Sequence, residues 1–344
     1  MAYTTIDKPT DYFNTTLYVG NGSSKTITGI PFAPYFVWIK ARSAAENHVI
    51  VDKVRGANNY LMPNTTATND TNSEFLKSFT SDGYTLGLGD RVNKASTNLV
   101  SWNWRANGQG SSNTDGSINT TYTSANTTSG CSLITYTGTG SNATVGHGLG
   151  VVPKMIIVKR LDVTSSWRIY HASLGNTKNI VLNTTAAEAT SSTMWNNTSP
   201  TSTTFSLGSY DEVNGSSAPH VAYCFADVKG FSKMGSYLGN GNADGTFVYT
   251  GFSPAFIMLK QSSASSRNWE IYDSKRIGYN VANYRLPPNT AGAEETNVNI
   301  DILSNGFKAR STDADLNASG ATYIFMAFAE APFVSSTGIP TPAR

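Results

Sequence analysis

A glycine-rich stretch at residues 146–160, GHGLGVVPKMIIVKR, is the first place where the sequence could do chemistry. Glycines beside a strand can let backbone amides approach a phosphate group, and Lys159 and Arg160 would add positive charge. A phosphate-binding loop also has to open a helix, whereas a proline and a β-rich run follow here. The glycines do not recur in the two related stretches of the chain. We therefore interpret this stretch as a turn that leads into a strand.

The other reactive side chains form no catalytic or metal-binding pattern. None of the four histidines has the spacing of zinc ligands: His48, His147, His171 and His220. A Gly-x-Ser-x-Gly nucleophile elbow is absent from the sequence. Asp70, or Asp313 with Asp315, could contribute to a calcium site, but each lacks the full ligand series. We predict that the protein is not an enzyme, and we assign it no catalytic, cofactor-binding or metal-binding residue and no cofactor.

Three lysines recur, each at the end of a similar apolar run. The runs are FAPYFVWIK, VVPKMIIVK and FSPAFIMLK, which end at Lys40, Lys159 and Lys260. A lysine at the end of a strand usually extends its amino group to water, so we expect no chemistry from these three. His48 stands where the other two copies have tryptophan, and we expect it to face a hydrophobic core rather than bind a ligand.

These runs belong to a repeat that covers most of the chain. YVGNG, YTGTG and YLGNG precede the runs, and LVSWNWRA, HVAYCFA and TYIFMAFA close the copies. The markers keep their order and nearly their spacing, which is the signature of an internal repeat. The apolar runs are short, rich in β-branched and aromatic residues, and separated by turns such as SDGY and SNGF. We predict an all-β protein with three tandem β-sandwich modules of jelly-roll type.

The repeat divides the chain into four parts. Segment 1 (residues 1–107) holds an N-terminal stretch and the first module. Residues 108–130, almost all Gly, Ser, Thr and Asn, are predicted to form an extended linker. Segment 2 (residues 131–228) is the second module, and segment 3 (residues 229–344) is the third module with a C-terminal tail.

The composition agrees with a folded β-protein. Charged residues make up 14% of the 344 residues and aromatic residues 11%, a balance that argues against a disordered chain. A net charge of +2 gives no reason to expect binding to nucleic acid or to an anionic membrane. We see no secretory signal and no membrane-spanning helix. Cys131 and Cys224 are the only cysteines, and we expect both to be reduced.

The closing strand of each copy indicates a contact surface. In segment 1 we place Trp102 and Trp104 on the core face, and Ser101, Asn103 and Arg105 on a face that suits water. In segments 2 and 3 both faces are apolar, so the outer face has to be covered by a loop, by another module or by another chain. The candidate interface residues are Tyr223, Phe225, Met326 and Phe328. We expect segments 2 and 3 to pack against each other or against symmetry mates, while segment 1 stands apart on its linker.

Four stretches of segment 3 are similar to a known family. They are YLGNG, GFSPAFIMLK, NWEIYD and YIFMAFAEAPF, at residues 237–241, 251–260, 268–273 and 323–333. They resemble a repeat family of virion structural and tail proteins of marine tailed bacteriophages. Segment 1 departs from this pattern, with NHVIVD in place of the tryptophan-containing form.

The resemblance implies a virion structural protein, assembled in the bacterial cytoplasm and exposed on the particle exterior. It favours a tail appendage or fibre component that takes part in host attachment. Its partners would be itself, as a homotrimer, other virion proteins, and a host surface glycan or receptor, without nucleic acid or membrane insertion. The alternatives are a capsid decoration (cement) protein and a carbohydrate-binding or glycan-cleaving module.

Overall fold

The computed structural model describes residues 3–340, and it is built almost entirely of β-strands. Strands account for 41% of the structure and helices for 3%, so the prediction of an all-β protein is confirmed. Each segment contributes one principal sheet, and smaller sheets accompany it. No helix in residues 3–340 is long and apolar enough to span a membrane.

Segment 1 begins with a 3₁₀ turn (Pro9–Asp11) and contains nine strands and one short helix. The elements are β1 (Phe13–Val19), β2 (Lys25–Ile27), β3 (Phe36–Ala41), β4 (Val49–Asp52), β5 (Asn59–Tyr60), β6 (Asp70–Thr71), β7 (Leu76–Thr80), β8 (Gly83–Leu86), α1 (Asp90–Asn93) and β9 (Asn98–Trp104). The principal sheet has the order β1-β9-β3-β4, and a second sheet has the order β2-β8-β7.

The next strands belong to the region after Trp104 and to segment 2. They are β10 (Tyr122–Asn126), β11 (Cys131–Thr137), β12 (Ala143–Gly146), β13 (Met155–Arg160), β14 (Arg168–His171), β15 (Lys178–Val181), β16 (Ala189–Thr190), β17 (Thr204–Leu207) and β18 (Pro219–Phe225), with helix α2 (Asp211–Asn214) before β18. The principal sheet has the order β10-β11-β18-β13-β14-β15-β16, and β12 pairs with β17 in a separate small sheet.

Segment 3 contains seven strands. They are β19 (Ser232–Leu238), β20 (Phe247–Tyr249), β21 (Phe252–Gln261), β22 (Trp269–Asp273), β23 (Ile300–Leu303), β24 (Gly306–Ala309) and β25 (Thr322–Pro332). The principal sheet has the order β19-β25-β21-β22, and the small sheet has the order β20-β24-β23.

The three principal sheets share the same order at their centres. The first long strand of each segment pairs with the closing strand, the closing strand pairs with the lysine-bearing strand, and that strand pairs with the next one, always antiparallel. The lysine-bearing strands β3, β13 and β21 carry Lys40, Lys159 and Lys260. They are buried at nearly every position. Short continuous apolar runs are typical of strands that are covered on both faces.

Each Tyr-x-Gly-x-Gly marker is a tight turn held by a buried asparagine. In segment 1 a Cβ atom on Gly20 would lie 2.1 Å from a backbone carbonyl oxygen, so only glycine fits there. The side-chain amide of Asn93 donates to the carbonyl of Gly87 at 2.8 Å and accepts from the backbone of the turn. Asn214 and Asn317 hold the corresponding turns of segments 2 and 3.

The face assignment predicted for the closing strand of segment 1 is wrong. Phe36, four residues before Lys40, pairs with Trp104, and Met155, four residues before Lys159, pairs with Phe225. Trp104 therefore corresponds to Phe225, one residue away from the alignment that matched the closing alanines. A slip of one residue exchanges the two faces of a strand.

Because of this one-residue shift, two of the residues that were expected to face water are buried. Ser101 and Asn103 are fully buried, and the hydroxyl of Tyr84 donates to Ser101 Oγ at 2.7 Å. Of the three residues predicted for that face, only Arg105 is exposed.

The region predicted as an extended linker is folded onto segment 2. Its strand β10 pairs with β11 and lengthens the principal sheet. Ile118, farther back in the region, is buried and forms a bridge with Val145. Residues 108–130 therefore cover an edge of segment 2.

Both cysteines are buried free thiols in the structure. Burial raises the pKa of Cys131 and of Cys224 above the usual value for a thiol. Because the thiolate is the reactive form of cysteine, neither side chain is suited to act as a nucleophile.

Candidate functional site

The four residues predicted as an interface lie at the centre of the molecule. Tyr223, Phe225, Met326 and Phe328 are each at most 3% exposed. The rings of Phe225 and Phe328 meet edge to face, with centroids 5.8 Å apart. Trp104 of segment 1 contacts both rings, at 6.3 and 5.6 Å. The covering surface is therefore made by the other segments of the same chain.

Segment 1 does not stand apart, contrary to expectation. Phe36 stacks on Tyr223 with centroids 4.6 Å apart, and Phe13 stacks on Phe328 at 5.3 Å. All three principal sheets turn one face toward a single aromatic core, which we call the central core. Because these side chains are buried within one chain, they no longer give a reason to expect a homotrimer.

Each segment also contacts the next one through a loop that lies between its lysine-bearing strand and its closing strand. We name the three contacts seam 1–2, seam 2–3 and seam 3–1 after the segments that they join. In seam 1–2, Lys159 Nζ donates to the carbonyl of Thr66 at 3.2 Å. Beside it, Trp167 Nε1 donates to the carbonyl of Met62 at 3.3 Å.

Seam 2–3 repeats this arrangement one segment farther along the chain. Lys260 Nζ donates to the carbonyl of Thr185 at 3.3 Å, and Trp269 Nε1 donates to the carbonyl of Val181 at 2.9 Å. The same kind of loop therefore sits over the same kind of lysine and tryptophan.

Seam 3–1 closes the ring. Lys40 Nζ donates to the carbonyl of Ala291 at 3.3 Å. His48 replaces the tryptophan of the other seams: its Nδ1 accepts from Trp38 Nε1 at 2.9 Å, which leaves Nε2 to donate to the carbonyl of Pro287 at 3.2 Å. His48 is therefore buried as expected, but it lies between two segments rather than in the core of one.

The expectation that the recurring lysines reach water is wrong. Lys40, Lys159 and Lys260 are fully buried, and each ammonium donates to backbone carbonyls of both segments that meet at its seam. A lysine suits this place because it offers three donors at the end of a flexible stem. Burial lowers the pKa of all three to about 8. All three lysines thus join one segment to another.

A second recurring position shows how the seams differ. In seam 1–2 the hydroxyl of Tyr223 donates to Asp52 Oδ2 at 2.7 Å, and Arg55 pairs with the same carboxylate oxygen at 2.6 Å. In seam 3–1 Asp273 accepts from Trp102 Nε1 at 3.0 Å and pairs with Arg276 at 2.6 Å. Both pairs are almost completely buried.

Seam 2–3 has no carboxylate at this position. His171 stands there instead, and its Nε2 bonds the carbonyl of Phe325 at 3.1 Å. The partner that corresponds to Trp102 and Tyr223 is Met326, which has no N–H or O–H to donate. Burial lowers the pKa of His171 to about 4, so the ring is neutral at physiological pH.

A buried carboxylate in segment 3 is held by an ion pair rather than exposed to a cleft. Glu270 Oε1 accepts from Arg285 Nη1 at 2.8 Å, and the side chain is fully buried. Burial raises the pKa of Glu270, and the charge of Arg285 opposes this rise. Within residues 3–340, no group of three His, Cys, Asp or Glu side chains is placed to hold a metal ion.

The chain has an open cleft where its N-terminal residues meet segment 3. The cleft has a volume of about 400 Å³, and Tyr3, Tyr249, Lys229, Asp227 and Lys233 are among the residues that line it. The hydroxyls of Tyr3 and Tyr249 are hydrogen-bonded at 2.9 Å. Burial and this hydrogen bond raise the pKa of Tyr3 to about 12, so its hydroxyl remains neutral.

Comparison with known proteins places the chain in a family. Residues 8–332 match the model of a domain of unknown function, DUF7483. The chain belongs to this family. No curated protein matches the chain. The single DUF7483 model spans the three principal sheets, the central core and all three seams.

Sequence reasoning found the recurring residues of this DUF7483 chain but not all of their contacts. The lysines and the tryptophan position were visible as repeat markers, whereas their acceptors are backbone carbonyls, which carry no sequence signal. The change from Asp52 and Asp273 to His171 was also visible at the end of the matching strands. The partner of this position changes as well, from Trp102 and Tyr223 to Met326. That second change could have been found only with the correct strand register.

Proposed function

We propose that this protein is a non-enzymatic structural protein of a tailed-bacteriophage virion, and that it serves as a tail appendage or fibre component in host attachment. The proposal that the protein is not an enzyme rests on where the recurring lysines lie. Lys40, Lys159 and Lys260 are all buried in seams, where they join segments rather than line a cleft. The virion part is supported by the family resemblance of segment 3.

We also propose that each segment is a β-sandwich of jelly-roll type and that the three are related by an internal repeat. Two separate cores support this proposal. In segment 2 the principal-sheet residues Ile156 and Val158 share a core with Phe205 and Leu207 of the small sheet. In segment 1 Val37 and Ile39 occupy the corresponding core with residues of β2 and β8. The principal sheets of segments 1 and 2 thus pack their second face on a small sheet, as in a sandwich.

The proposed location is the exterior of the particle, with other virion proteins and a host surface glycan or receptor as partners. A surface rich in Thr, Asn and Ser suits such a position. One chain of this protein supplies three similar units in a ring. A homotrimer of single modules would need three chains to supply the same number of units. A monomeric ring is therefore sufficient for the proposed role.

Immunogold electron microscopy of intact phage particles that carry this chain tests the location. Antibody against the purified protein should label the tail, and preimmune antibody should not. Label on the capsid would instead favour the decoration protein. Absence of the chain from purified particles, judged by mass spectrometry, would overturn the virion assignment.

A further inference from the structure

The cleft beside the N-terminal residues has aromatic walls. Tyr3 packs edge to face on Phe333 at 6.3 Å, and its hydroxyl also donates to the carbonyl of Gly251 at 3.1 Å. Tyr249 bonds the same hydroxyl but remains 55% exposed. The volume of about 400 Å³ lies within the range of pockets that hold small organic ligands.

The aromatic surface continues along the strand beyond the cleft. Phe247 lies two residues before Tyr249 on β20 and is 44% exposed. Residues two apart on a strand point to the same side of the sheet, so the two rings share a face. The comparable exposed position on β2 of segment 1 is Thr26, which pairs with Thr85. Exposed aromatic rings beside a cleft are a common mark of a ligand site.

The cleft carries one unbalanced positive charge. Lys233 pairs with Asp227 at 3.3 Å, so these two charges offset each other. Lys229 Nζ lies 4.7 Å from the centre of the Tyr3 ring, and among residues 3–340 it has no carboxylate within ion-pair distance. An ammonium that lies over an aromatic ring and makes no ion pair can still bind a carboxylate.

We propose that this cleft binds an acidic sugar, the carboxylate-bearing unit of a polysaccharide. The carboxylate accepts hydrogen bonds from Lys229, and the apolar face of the sugar ring packs on Tyr249. The next sugar along the polysaccharide packs on Phe247. A single unpaired ammonium matches the single charge of a uronic acid, and tyrosine combines an apolar ring with a hydroxyl that can bond to sugar oxygens.

This inference rests on the proposed function, because it names the chemical class of the host glycan that the protein would attach to. The cleft is specific to segment 3, since one wall is Tyr3 and the chain has only one N-terminal stretch.

Titration calorimetry with the full chain tests the inference. The ligands are a hexamer of galacturonic acid and, for comparison, the neutral hexamer of glucose units, maltohexaose. We expect the acidic hexamer to bind at least about tenfold more tightly at low salt, and this preference should shrink as salt is raised. Equal affinity for both hexamers, or binding of neither, would overturn the proposal.

Two variants and a matched control assign the binding to the cleft. Tyr249→Ala should weaken both hexamers at least about tenfold, and Lys229→Gln should abolish the preference for the acidic one. Tyr279→Ala is the control, because Tyr279 is a 70% exposed tyrosine of the same segment that does not line the cleft. Thermal unfolding of each variant checks that the fold is unchanged. Equal losses in Tyr249→Ala and Tyr279→Ala would overturn the assignment.

The two proposals can fail separately. Acidic-sugar binding by a chain that is absent from particles would leave the cleft assignment intact and remove the virion role. Antibody label on the tail, together with binding of neither hexamer, would support the virion role and overturn the cleft assignment.

Discussion

Seam 2–3 and seam 3–1 are built on the same lysine contact, yet they differ in the rest of their polar contacts. Seam 3–1 adds the buried Asp273–Arg276 pair, and Arg42 makes a two-pronged ion pair with Glu294 at 3.0 and 2.8 Å. Arg276 reaches the same Glu294 at 3.0 Å. Seam 2–3 has the neutral His171 in the place of the aspartate.

The difference follows the covalent connections of the chain. Segments 2 and 3 are joined by the few residues between β18 and β19, which hold them at a high effective concentration. Segments 3 and 1 lie at opposite ends of the sequence, so their seam has no short connection to assist it. Of these two seams, the one whose segments have no short covalent connection is therefore the one that carries the ionic contacts.

The largest expected effect comes from Asp273→Ala. It leaves the buried Arg276 guanidinium without its closest carboxylate and Trp102 Nε1 without an acceptor, which should lower the free energy of unfolding by about 3–5 kcal/mol. His171→Ala, at the matching position of seam 2–3, should cost about 1–3 kcal/mol. Urea unfolding followed by tryptophan fluorescence measures both. A larger loss in His171→Ala than in Asp273→Ala would contradict the comparison.

The lysine contact should contribute nearly the same free energy to stability in seam 1–2 and in seam 2–3. Lys159→Met and Lys260→Met each remove a buried ammonium that bonds backbone carbonyls of both segments, and each should cost about 1–3 kcal/mol. Thermal unfolding of the two variants side by side provides the measurement. If one substitution left the stability unchanged and the other lowered it strongly, the two seams would not be equivalent at this position.

Acid should weaken seam 2–3 through His171. Its pKa in the folded protein is about 4, below the ordinary value of 6.5, so between these values the unfolded chain binds more protons. Stability is therefore lost as the pH falls from about 6.5 toward 4. His171→Gln should reduce this loss in urea titrations at a series of pH values. Some loss will remain, because burial also lowers the pKa of His48 in seam 3–1.

Alkali should act in the opposite direction on all three seams. The folded pKa of each buried lysine is about 8 against an ordinary 10.5, so the unfolded chain holds more protons between these values. The contribution of the lysines to stability therefore rises as the pH increases from about 8 toward 10.5. Lys159→Met should show a smaller rise than the wild type over pH 8 to 10, where the buried tyrosines are still neutral.

The smallest net effect is expected from converting one type of seam into the other. His171→Asp alone should be strongly destabilising, because it buries an unpaired carboxylate. Adding Leu174→Arg and Met326→Tyr rebuilds the arrangement of Asp52, Arg55 and Tyr223, and the triple variant should return to within about 1–2 kcal/mol of the wild type. Urea unfolding of the single and triple variants tests this. No recovery in the triple variant would mean that the seams differ in more than these three side chains.

Local pattern predicted much of the fold. The short apolar runs and their turns gave the β class, and the repeat markers fall on strands with the same neighbours in each principal sheet. The face of β9 was predicted wrongly because segment 1 has one extra residue before its closing alanine. Side chains alternate between the two faces of a strand, so a shift of one residue assigns every side chain to the opposite face. The role of Asn93 was missed, since the turn that it holds lies at Asn21, 72 residues earlier in the sequence.

The seams and the cleft could not be predicted, because their partners are far apart in the sequence. Lys40 bonds to Ala291, and Tyr3 bonds to Tyr249, in contacts that span most of the chain. A buried lysine and an exposed lysine look alike in sequence until the covering loop is known. The cleft has no repeat marker, because its N-terminal wall occurs only once.

The central core has a consequence for the synthesis of the chain. Segment 1 is made first, and its Trp104 is covered only when Phe225 and Phe328 have followed. At about 5–20 residues per second, the roughly 220 residues from Trp104 to Phe328 take roughly 10–45 seconds to emerge from the ribosome. During that time a sheet face bearing Trp38, Trp102 and Trp104 is open to solvent and to other nascent chains. Polypeptides released before segment 3 is complete should therefore aggregate or recruit chaperones, because segment 3 supplies part of the cover of the segment 1 sheet.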